Sequence, residues 1–490
     1  MENLSGLVKR LRDIMRNDPG INGDAQRIEQ IVWMLFLKVY DAKEADDWED
    51  GEYQSIIPEE YRWRNWAHES EKGKGATGDT LLKFVNKMFE ELKELIIDDK
   101  MPLRKKIVKS VFADTNQYMK DGVLLRQMIN VIDGIDLSDY DNIHALGDIY
   151  ENILRELQSA GSAGEFYTPR AVTDFMAQMI EPHLGEKMAD FACGTGGFIV
   201  SWLKELGRRT GDMSPADREK WVKSVYGVEK KQFPYMLAIT NLLLHDVDDP
   251  HIDHDNSLAH KVLNYTERES FDKILMNPPY GGNEKDDIQK NFPKDLADSE
   301  TADLFMSVIM YRLKKNGRAA VVLPDGFLFG TDNTKANIKK KLLAEFDLHT
   351  IVRLPGSVFA PYTSITTNIL FFDRTKPTEA IWFYRLDMPE GYKHFSKTKP
   401  MLAEHFSPVV EWWKNRQELS QEGYPKAKRY DMAEIMASGY NLDLCGFPHE
   451  EEEILDPFTL MDQYKTERAK LNAEIDEILA DIAGILQNKG

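Results

Sequence analysis

Asn277-Pro278-Pro279-Tyr280 combines residue types suited to gripping a flat amine. The stretch follows an apolar run, residues 271–276, that reads as a buried strand. Asn277 offers a side-chain carbonyl, and Pro278 offers a backbone carbonyl with no N–H of its own. Two acceptors aimed at one exocyclic NH2 group localise its lone pair, the paired prolines stiffen the rim, and the Tyr280 ring supplies a stacking face. Taken alone, the same four residues also describe a proline-rich strand-to-loop turn.

A second stretch narrows the choice. Asp190-Phe191-Ala192-Cys193-Gly194-Thr195-Gly196-Gly197-Phe198 follows another strand-like run and leads into a helix expected over 199–206. Its glycines permit a tight turn and let a ligand approach the backbone closely. The spacing is not the G-x-G-x-x-G of dinucleotide sites, and Asp190 precedes the glycines. A carboxylate there repels a pyrophosphate and attracts an ammonium group, so the expected ligand carries cationic groups, as S-adenosylmethionine does. Glu229 ends the next apolar run, about thirty residues on, where an acidic side chain can accept from both hydroxyls of a ribose. Asp255 and Asn256 end a further candidate strand, placed either to face the adenine of the cofactor or simply at the surface.

Upstream lies Gly164-Glu165-Phe166-Tyr167-Thr168-Pro169-Arg170. Thr168 before Pro169 reads as an N-cap with proline at the first position of a helix continuing over 172–180. A helix N-terminus with a free hydroxyl also suits a carboxylate, so capping and ligand binding are compatible there.

These residues need a scaffold, and the pattern from 146 to 385 supplies one. Short apolar runs at 188–193, 222–229, 271–276, 318–323, 349–354 and 367–372 alternate with helical stretches, which predicts a parallel sheet covered by helices on both faces. In such sheets ligands bind at the carboxyl ends of the strands, where the motifs fall. Residues 1–145 read as a separate helical domain. Ile28, Ile31, Val32, Leu35, Phe36 and Val39 recur at helical spacing, as do Leu81, Phe84, Val85, Met88, Leu92 and Ile96. Residues 46–78 between them read as an exposed connection. Residues 386–457 form a mixed extension containing Trp412 and Trp413, and residues 458–490 a helical tail. In the tail Tyr464, Leu471, Ile475, Ile478, Ile482 and Ile485 make a seam interrupted by Arg468, fit either for its own domain or for a helix of another subunit.

Composition sets outer bounds. A chain of 490 residues has room for two to four domains. Its two cysteines, Cys193 and Cys445, exclude a disulfide framework and a cysteine zinc site, and suit the reducing cytoplasm. The first sixteen residues are too charged for a signal peptide, and the apolar stretch 31–37 is far short of the ~20 residues that span a bilayer, so no membrane role is expected. The net charge of −20 runs against a protein that grips DNA unaided. Either basic residues concentrate in one cleft or another subunit supplies the grip. His245, His251, His254 and His260 are too loosely spaced to suggest a metal site. Cys193 reads as a packing residue, and Lys339 to Lys341 as a solvated helix face.

GEFYTP, DFACGTGGF and NPPY, in that order, resemble the amino-methylating DNA methyltransferases whose cofactor motifs precede the catalytic one. The narrower resemblance is to the methylation subunit (HsdM) of type I restriction–modification systems. Residues 302–306, 313–329, 351–359 and 367–372 look like the later strands of that family, and 30–38 is similar to its helical N-terminal domain; about four fifths of the chain is covered. Glu165, where the family more often has Gln, and Phe191, where Pro is common, depart from the pattern.

The resemblance implies an α/β, Rossmann-like, S-adenosylmethionine-dependent methyltransferase sheet with helices on both faces, preceded by an all-α N-terminal domain and followed by a C-terminal helical tail. It implies that Asp190, Gly194, Thr195 and Gly196, with Gly197 beside them, hold the methionine end of S-adenosylmethionine. Phe166 and Thr168 close over it within the stretch from Glu165 to Arg170, and Glu229 takes the ribose. Asn277, Pro278 and Tyr280, with Pro279 in the same turn, would hold an adenine swung out of double-stranded DNA for attack by N6 on the methyl group. The implied partners are a specificity subunit (HsdS), a second methylation subunit and a restriction subunit (HsdR). Three alternatives stay open at this level: a glutamine side-chain amide as substrate, a solitary adenine methyltransferase, and a non-catalytic scaffold.

Overall fold

Apolar stripes at helical spacing become helices throughout the N-terminal region: α1 (Leu4–Met15), α2 (Asp24–Trp48), α3 (Trp63–Trp66), α4 (Gly78–Lys93), α5 (Leu103–Phe112), α6 (Gly122–Asp133) and α7 (Tyr140–Arg155). The structure, a computed structural model, describes residues 4–48, 54–68, 75–137, 140–155, 167–330, 332–396, 399–421 and 423–446, and in the tail 461–479 except 463, 467, 474 and 477. Residues 1–446 form one compact unit and 447–490 another. No helix among the described residues is long and apolar enough to cross a membrane.

The predicted stripe of α2, from Ile28 to Val39, is buried. So are Leu81, Val85, Met88 and Leu92 of α4. Ile96 is not: it lies past the end of α4 and is 87% exposed, and there Leu95 packs against the core instead. The stretch 46–78 is also more than an exposed connection, because Ile57, Tyr61, Trp63 and Ala67 are buried and the Trp63 indole N–H donates to Asp133 Oδ1 at 2.9 Å. The start of α6 is capped by Asp121, whose side chain accepts from the amides of Val123 and Leu124 at 2.8 and 3.0 Å.

Beyond α7 the chain builds one ten-stranded sheet in the order β3-β2-β1-β4-β5-β7-β6-β8-β10-β9. The strands are β1 (Met188–Asp190), β2 (Val225–Glu229), β3 (Ile252–His254), β4 (Phe271–Met276), β5 (Leu313–Pro324), β6 (Asp347–Arg353), β7 (Thr367–Asp373), β8 (Ala380–Arg385), β9 (Leu419–Gln421) and β10 (Tyr424–Asp431). Between and around them run α8 (Arg170–Met179), α9 (Gly197–Thr210), α10 (Pro215–Val222), α11 (Gln232–Leu244), α12 (Asp286–Gln289), α13 (Thr301–Arg312), α14 (Asp325–Phe329), α15 (Asn333–Glu345), α16 (Ser407–Lys414) and α17 (Met432–Ala437).

The sheet is mixed rather than all parallel. β3, β2, β1, β4 and β5 run parallel, but β7 lies antiparallel between β5 and β6, and β10 is antiparallel to both β8 and β9. The connection 354–366 contains no helix, so the chain returns beside β6 instead of crossing over to start another parallel strand. Along β7 the side chains alternate between two cores, Ile369 and Phe371 on one face, Leu370 and Phe372 on the other. The strand order reverses between β1 and β4, and at such a switch point the loops that follow diverge and open a crevice.

The N-terminal helices pack on α11. Gln232 Nε2 donates to the carbonyls of Ser110 and Val111, both at 2.7 Å, and the Tyr150 hydroxyl donates to Leu237 O at 3.0 Å. Lys339, expected in solvent, is fully buried: its ammonium donates to Leu328 O and Gly330 O at 2.9 and 2.7 Å, closing the end of α14, and burial pushes it down to about 8. In the second unit the described residues from 461 to 479 are helical, and Tyr464, Leu471, Ile475 and Ile478 are exposed. Ile482 and Ile485 of the expected seam lie outside the described residues.

Candidate functional site

The turn after β1 is built to leave space. Gly194 and Gly196 adopt φ of +53° and +78°, conformations that cost a residue with a side chain. Cys193 N donates to Val228 O at 3.0 Å and Gly196 N to Cys193 O at 2.8 Å, so the turn folds back against β2. Glu229, ending β2, accepts from Gly194 N at 2.9 Å through one carboxylate oxygen and from Lys231 N at 2.8 Å through the other. A Cβ at Gly197, the first residue of α9, would stand 1.9 Å from Arg170 Nη1.

Between this turn and the end of β4 lies a narrow cavity lined by Thr168, Asp190, Ala192, Cys193, Gly194, Thr195, Gly197, Phe198 and Asn277. The structure therefore brings parts of all three motifs to one cleft. Asn277 Nδ2 donates to Thr168 Oγ1 at 3.1 Å, while its Oδ1 is buried with no hydrogen-bond partner. An orphaned buried carbonyl costs roughly 1–3 kcal/mol, which a donor on a ligand would recover. Asp190 is 1% exposed and, among the described residues, accepts from Ala192 N, at 3.1 Å. Burial, with some repulsion from Glu229, pushes its carboxyl up to about 8. Burial likewise raises Glu229, against the pull of its backbone donors. Two buried carboxylates beside a glycine turn fit a ligand that brings positive charge.

Thr168 is not the helix cap. α8 begins at Arg170 with Pro169 in the N-cap position, and the Thr168 hydroxyl is taken by Asn277. Tyr167, Pro169 and Arg170 face a second, wider cavity on the other side of the loop. Arg170 is held by Glu151 of α7 and also donates to Thr168 O at 3.3 Å and Thr195 Oγ1 at 3.4 Å. Glu165 and Phe166 lie outside the described residues.

Pro278 is buried, Pro279 exposed and Tyr280 half-buried, its phenol raised by burial and next by the neighbouring Tyr362. The chain then leaves the site through Gly281, at φ +77°, whose N–H donates to Glu300 Oε1 at 2.8 Å, and Thr301 N donates to Gly282 O at 3.1 Å. The start of α13 thus pins the loop after the NPPY corner.

Asp255 and Asn256 sit past β3, beside the end of β2, but not on the cavity. Asp255 pairs with His260 at 2.7 Å, and Asn256 caps the short turn Ser257–Ala259 by accepting from Leu258 N at 3.1 Å. The other histidines are engaged elsewhere: His245 with Asn241 O, His254 stacked on Tyr235, His251 edge-on to Tyr226. Among the described residues no group of three or more His, Cys, Asp and Glu could hold a metal.

Sequence reasoning passed over Ala192 and Phe198 as cavity walls, since apolar residues beside a glycine turn carry no signal of their own. It also passed over Asn241, a fully buried amide within the apolar helix α11, where a lone polar residue is itself a signal.

With this geometry in hand, comparison with known proteins is direct. Residues 141–454 match the family model described as N-6 DNA Methylase, and residues 4–132 match the HsdM N-terminal domain. The chain is 48% identical to the type I restriction enzyme EcoEI methylase subunit of Escherichia coli over 99% of both chains. It is 28% identical to the EcoKI methylase subunit of Escherichia coli strain K12, over 83% of this chain and 75% of that one. Among solved structures, a modification subunit of a putative type I restriction enzyme from Vibrio vulnificus YJ016 superposes with TM-score 0.75 at 41% identity, covering 88% of this chain and 92% of that one. A chain solved in work on complex assembly and conformational transition of the type I R-M system gives TM-score 0.81 at 32% identity, covering 100% and 99%.

Proposed function

Because the chain belongs to the family of type I restriction–modification methylation subunits, which are DNA methyltransferases, we propose that it methylates N6 of adenine in double-stranded DNA. The donor is S-adenosylmethionine, which when bound supplies an electron-poor methyl carbon on a sulfonium. The observation that carries this reading is the meeting of Asn277, Thr168 and Asp190 on one cleft, with the Asn277 carbonyl oxygen buried and unpaired.

In this reading Asp190 and the turn Gly194–Gly196, followed by Gly197, hold the methionine end of the donor, and Glu229 accepts from its ribose. The carboxylate of Asp190 supplies the counter-charge for an ammonium group. Asn277 Oδ1 and the carbonyl of Pro278 accept the two N–H bonds of the adenine amine, and Tyr280 stacks on a base that has left the duplex. Thr168 contributes by fixing which way the Asn277 amide faces. Its Oγ1 takes the Nδ2 donor, so the carbonyl end is left for substrate. Catalysis rests on alignment and on hydrogen bonds that strengthen as charge develops on N6.

Sequence recognition comes from a separate specificity subunit, with a second methylation subunit and a restriction subunit completing the assembly in the cytoplasm. This reconciles a net charge of −20 with work on DNA. The exposed apolar residues of the tail helix supply a contact for such a partner.

The test is Asn277→Ala in the complex with the specificity subunit, scored with labelled donor and target DNA. Methylation should fall by at least about a thousandfold while donor affinity stays within about threefold of wild type. Retained methylation would remove Asn277 from catalysis.

A further inference from the structure

Glu151 stands on α7, the helix that precedes α8 and the sheet, and its carboxylate is the hub of a hydrogen-bond network behind the glycine turn. One oxygen accepts from Arg170 Nη2 and from Asn241 Nδ2, both at 3.1 Å, and the other accepts from Arg170 Nε. Each partner reaches onward to Thr195. Arg170 Nη2 donates to the Thr195 hydroxyl at 3.4 Å, and Asn241 Nδ2 donates to the Thr195 carbonyl at 3.0 Å. Thr195 sits between Gly194 and Gly196, so a residue flanked by positive-φ glycines is gripped at side chain and backbone together. Glycines resist distortion weakly. The shape of this turn depends on what holds Thr195.

The anchor itself is rigid. Tyr150, next to Glu151, donates to Leu237 O at 3.0 Å, and a Cβ at Gly147, one turn earlier, would lie 3.5 Å from Leu244 O, so α7 lies tight along α11. Burial works to raise the Glu151 carboxyl, and Arg170 more than reverses this, keeping the hub ionised. Glu151, Arg170 and Asn241 do not line the cavity themselves; the network meets it at Thr195, held twice, and at Thr168, whose carbonyl accepts from Arg170 Nη1 at 3.3 Å.

We propose that Glu151 is a positioning residue for methyl transfer: through Arg170 and Asn241 it fixes Thr195, so that α7 sets the form of the turn that receives the donor. The inference rests on the reading that S-adenosylmethionine occupies this turn. It gives the N-terminal helices a mechanical link to donor binding as well as a structural role.

The experiment uses the full chain with S-adenosylmethionine in calorimetry, and the complex with its specificity subunit for kinetics. Glu151→Gln should weaken donor affinity by about tenfold or more and raise donor KM in parallel, with kcat within about threefold. Asn241→Ala, which keeps the Glu151–Arg170 pair, should shift donor affinity in the same direction. The double variant should lose less than the product of the single losses, because both act through Thr195. Wild-type donor affinity in Asn241→Ala, or in a folded Glu151→Gln of lowered Tm, would overturn the proposal and leave the donor site standing. Failure of the wild-type chain itself to bind the donor would overturn both.

Discussion

With Asp190 as the proposed counter-charge for the donor's ammonium group, donor binding should depend on pH in a way the structure sizes. The side chain is 1% exposed, has one backbone donor at 3.1 Å and faces a second buried carboxylate, and burial first, then Glu229, lifts its carboxyl from 3.8 to about 8. At pH 7 roughly nine in ten such groups carry a proton. A cationic ligand needs the carboxylate, so binding of S-adenosylmethionine at pH 7 must expel between roughly 0.7 and 1 proton. Each pH unit below about 7 then changes apparent affinity by close to tenfold, or about 1.4 kcal/mol, and between 7 and 8 the gain shrinks to about two- to threefold. Above that the gain stops, and an α-amino group of ordinary pKa, about 7.7–8.0, starts to lose its own charge. Affinity should climb from pH 6 to about 8 and then decline. Calorimetry in buffers of different ionisation heat counts the proton directly. A count near zero, with flat affinity from pH 6 to 8, would refute the argument. Stability carries the same linkage with a definite sign. The folded value lies above the unfolded one, so the favourable contribution is complete below about pH 3.8 and is lost as pH rises through about 8. At pH 7 that loss is on the order of 4 kcal/mol. Asp190→Asn should therefore raise the Tm of the donor-free chain at pH 7 while abolishing donor binding, a trade of stability for function.

Gly197→Ala places a methyl group 1.9 Å from Arg170 Nη1, and Arg170 cannot swing aside without leaving Glu151; donor affinity measured by calorimetry should fall about tenfold or more. Arg312→Met empties the guanidinium site set 4.4 to 5.6 Å from the rings of Tyr265, Phe191, Phe271 and Tyr226 and strips Glu269 O of its donor. Denaturant unfolding should show a loss of roughly 2–4 kcal/mol. Leu471→Asp with Ile475→Asp, at positions 58% and 53% exposed, should leave thermal unfolding unchanged and abolish co-purification with the specificity subunit.

The strands that carry the chemistry were legible because burial on both faces writes an uninterrupted apolar run. Residues 271–276 became β4 without a shift in either bound. Direction was not legible in the same way. Thr367 to Phe372 is as apolar as β4 yet runs antiparallel, and the only hint was a preceding connection without helical periodicity. Lys339 shows a signal that was present and overridden by charge. It precedes Leu342 and Leu343 by three and four residues, on the stripe that α15 buries, and its ammonium reaches two carbonyls at the end of α14 that no local pattern reveals. Thr168 beside Pro169 satisfied every local rule for a cap and lost to a partner more than a hundred residues away. Its chemistry was readable; its partner was not.

Phe191 and Glu229 show why departures and matches at a site both need the structure. Phe191, the residue that differs from the commoner proline, turns away from the cavity and lies 4.6 Å from the Arg312 guanidinium. The substitution thus buttresses the end of β1 from behind and leaves Asp190 and the glycines free for a ligand. Glu229 fits the ribose reading by position, yet both of its oxygens already hold backbone N–H groups of the turn and of Lys231. Each carboxylate oxygen has a second lone pair, so ribose hydroxyls add to these bonds rather than replace them. Glu229 therefore shapes the glycine turn from the side of β2, as Thr195 is held from the side of α7 and α11. A turn built on glycines stays open to a ligand because other elements supply the rigidity its own backbone lacks.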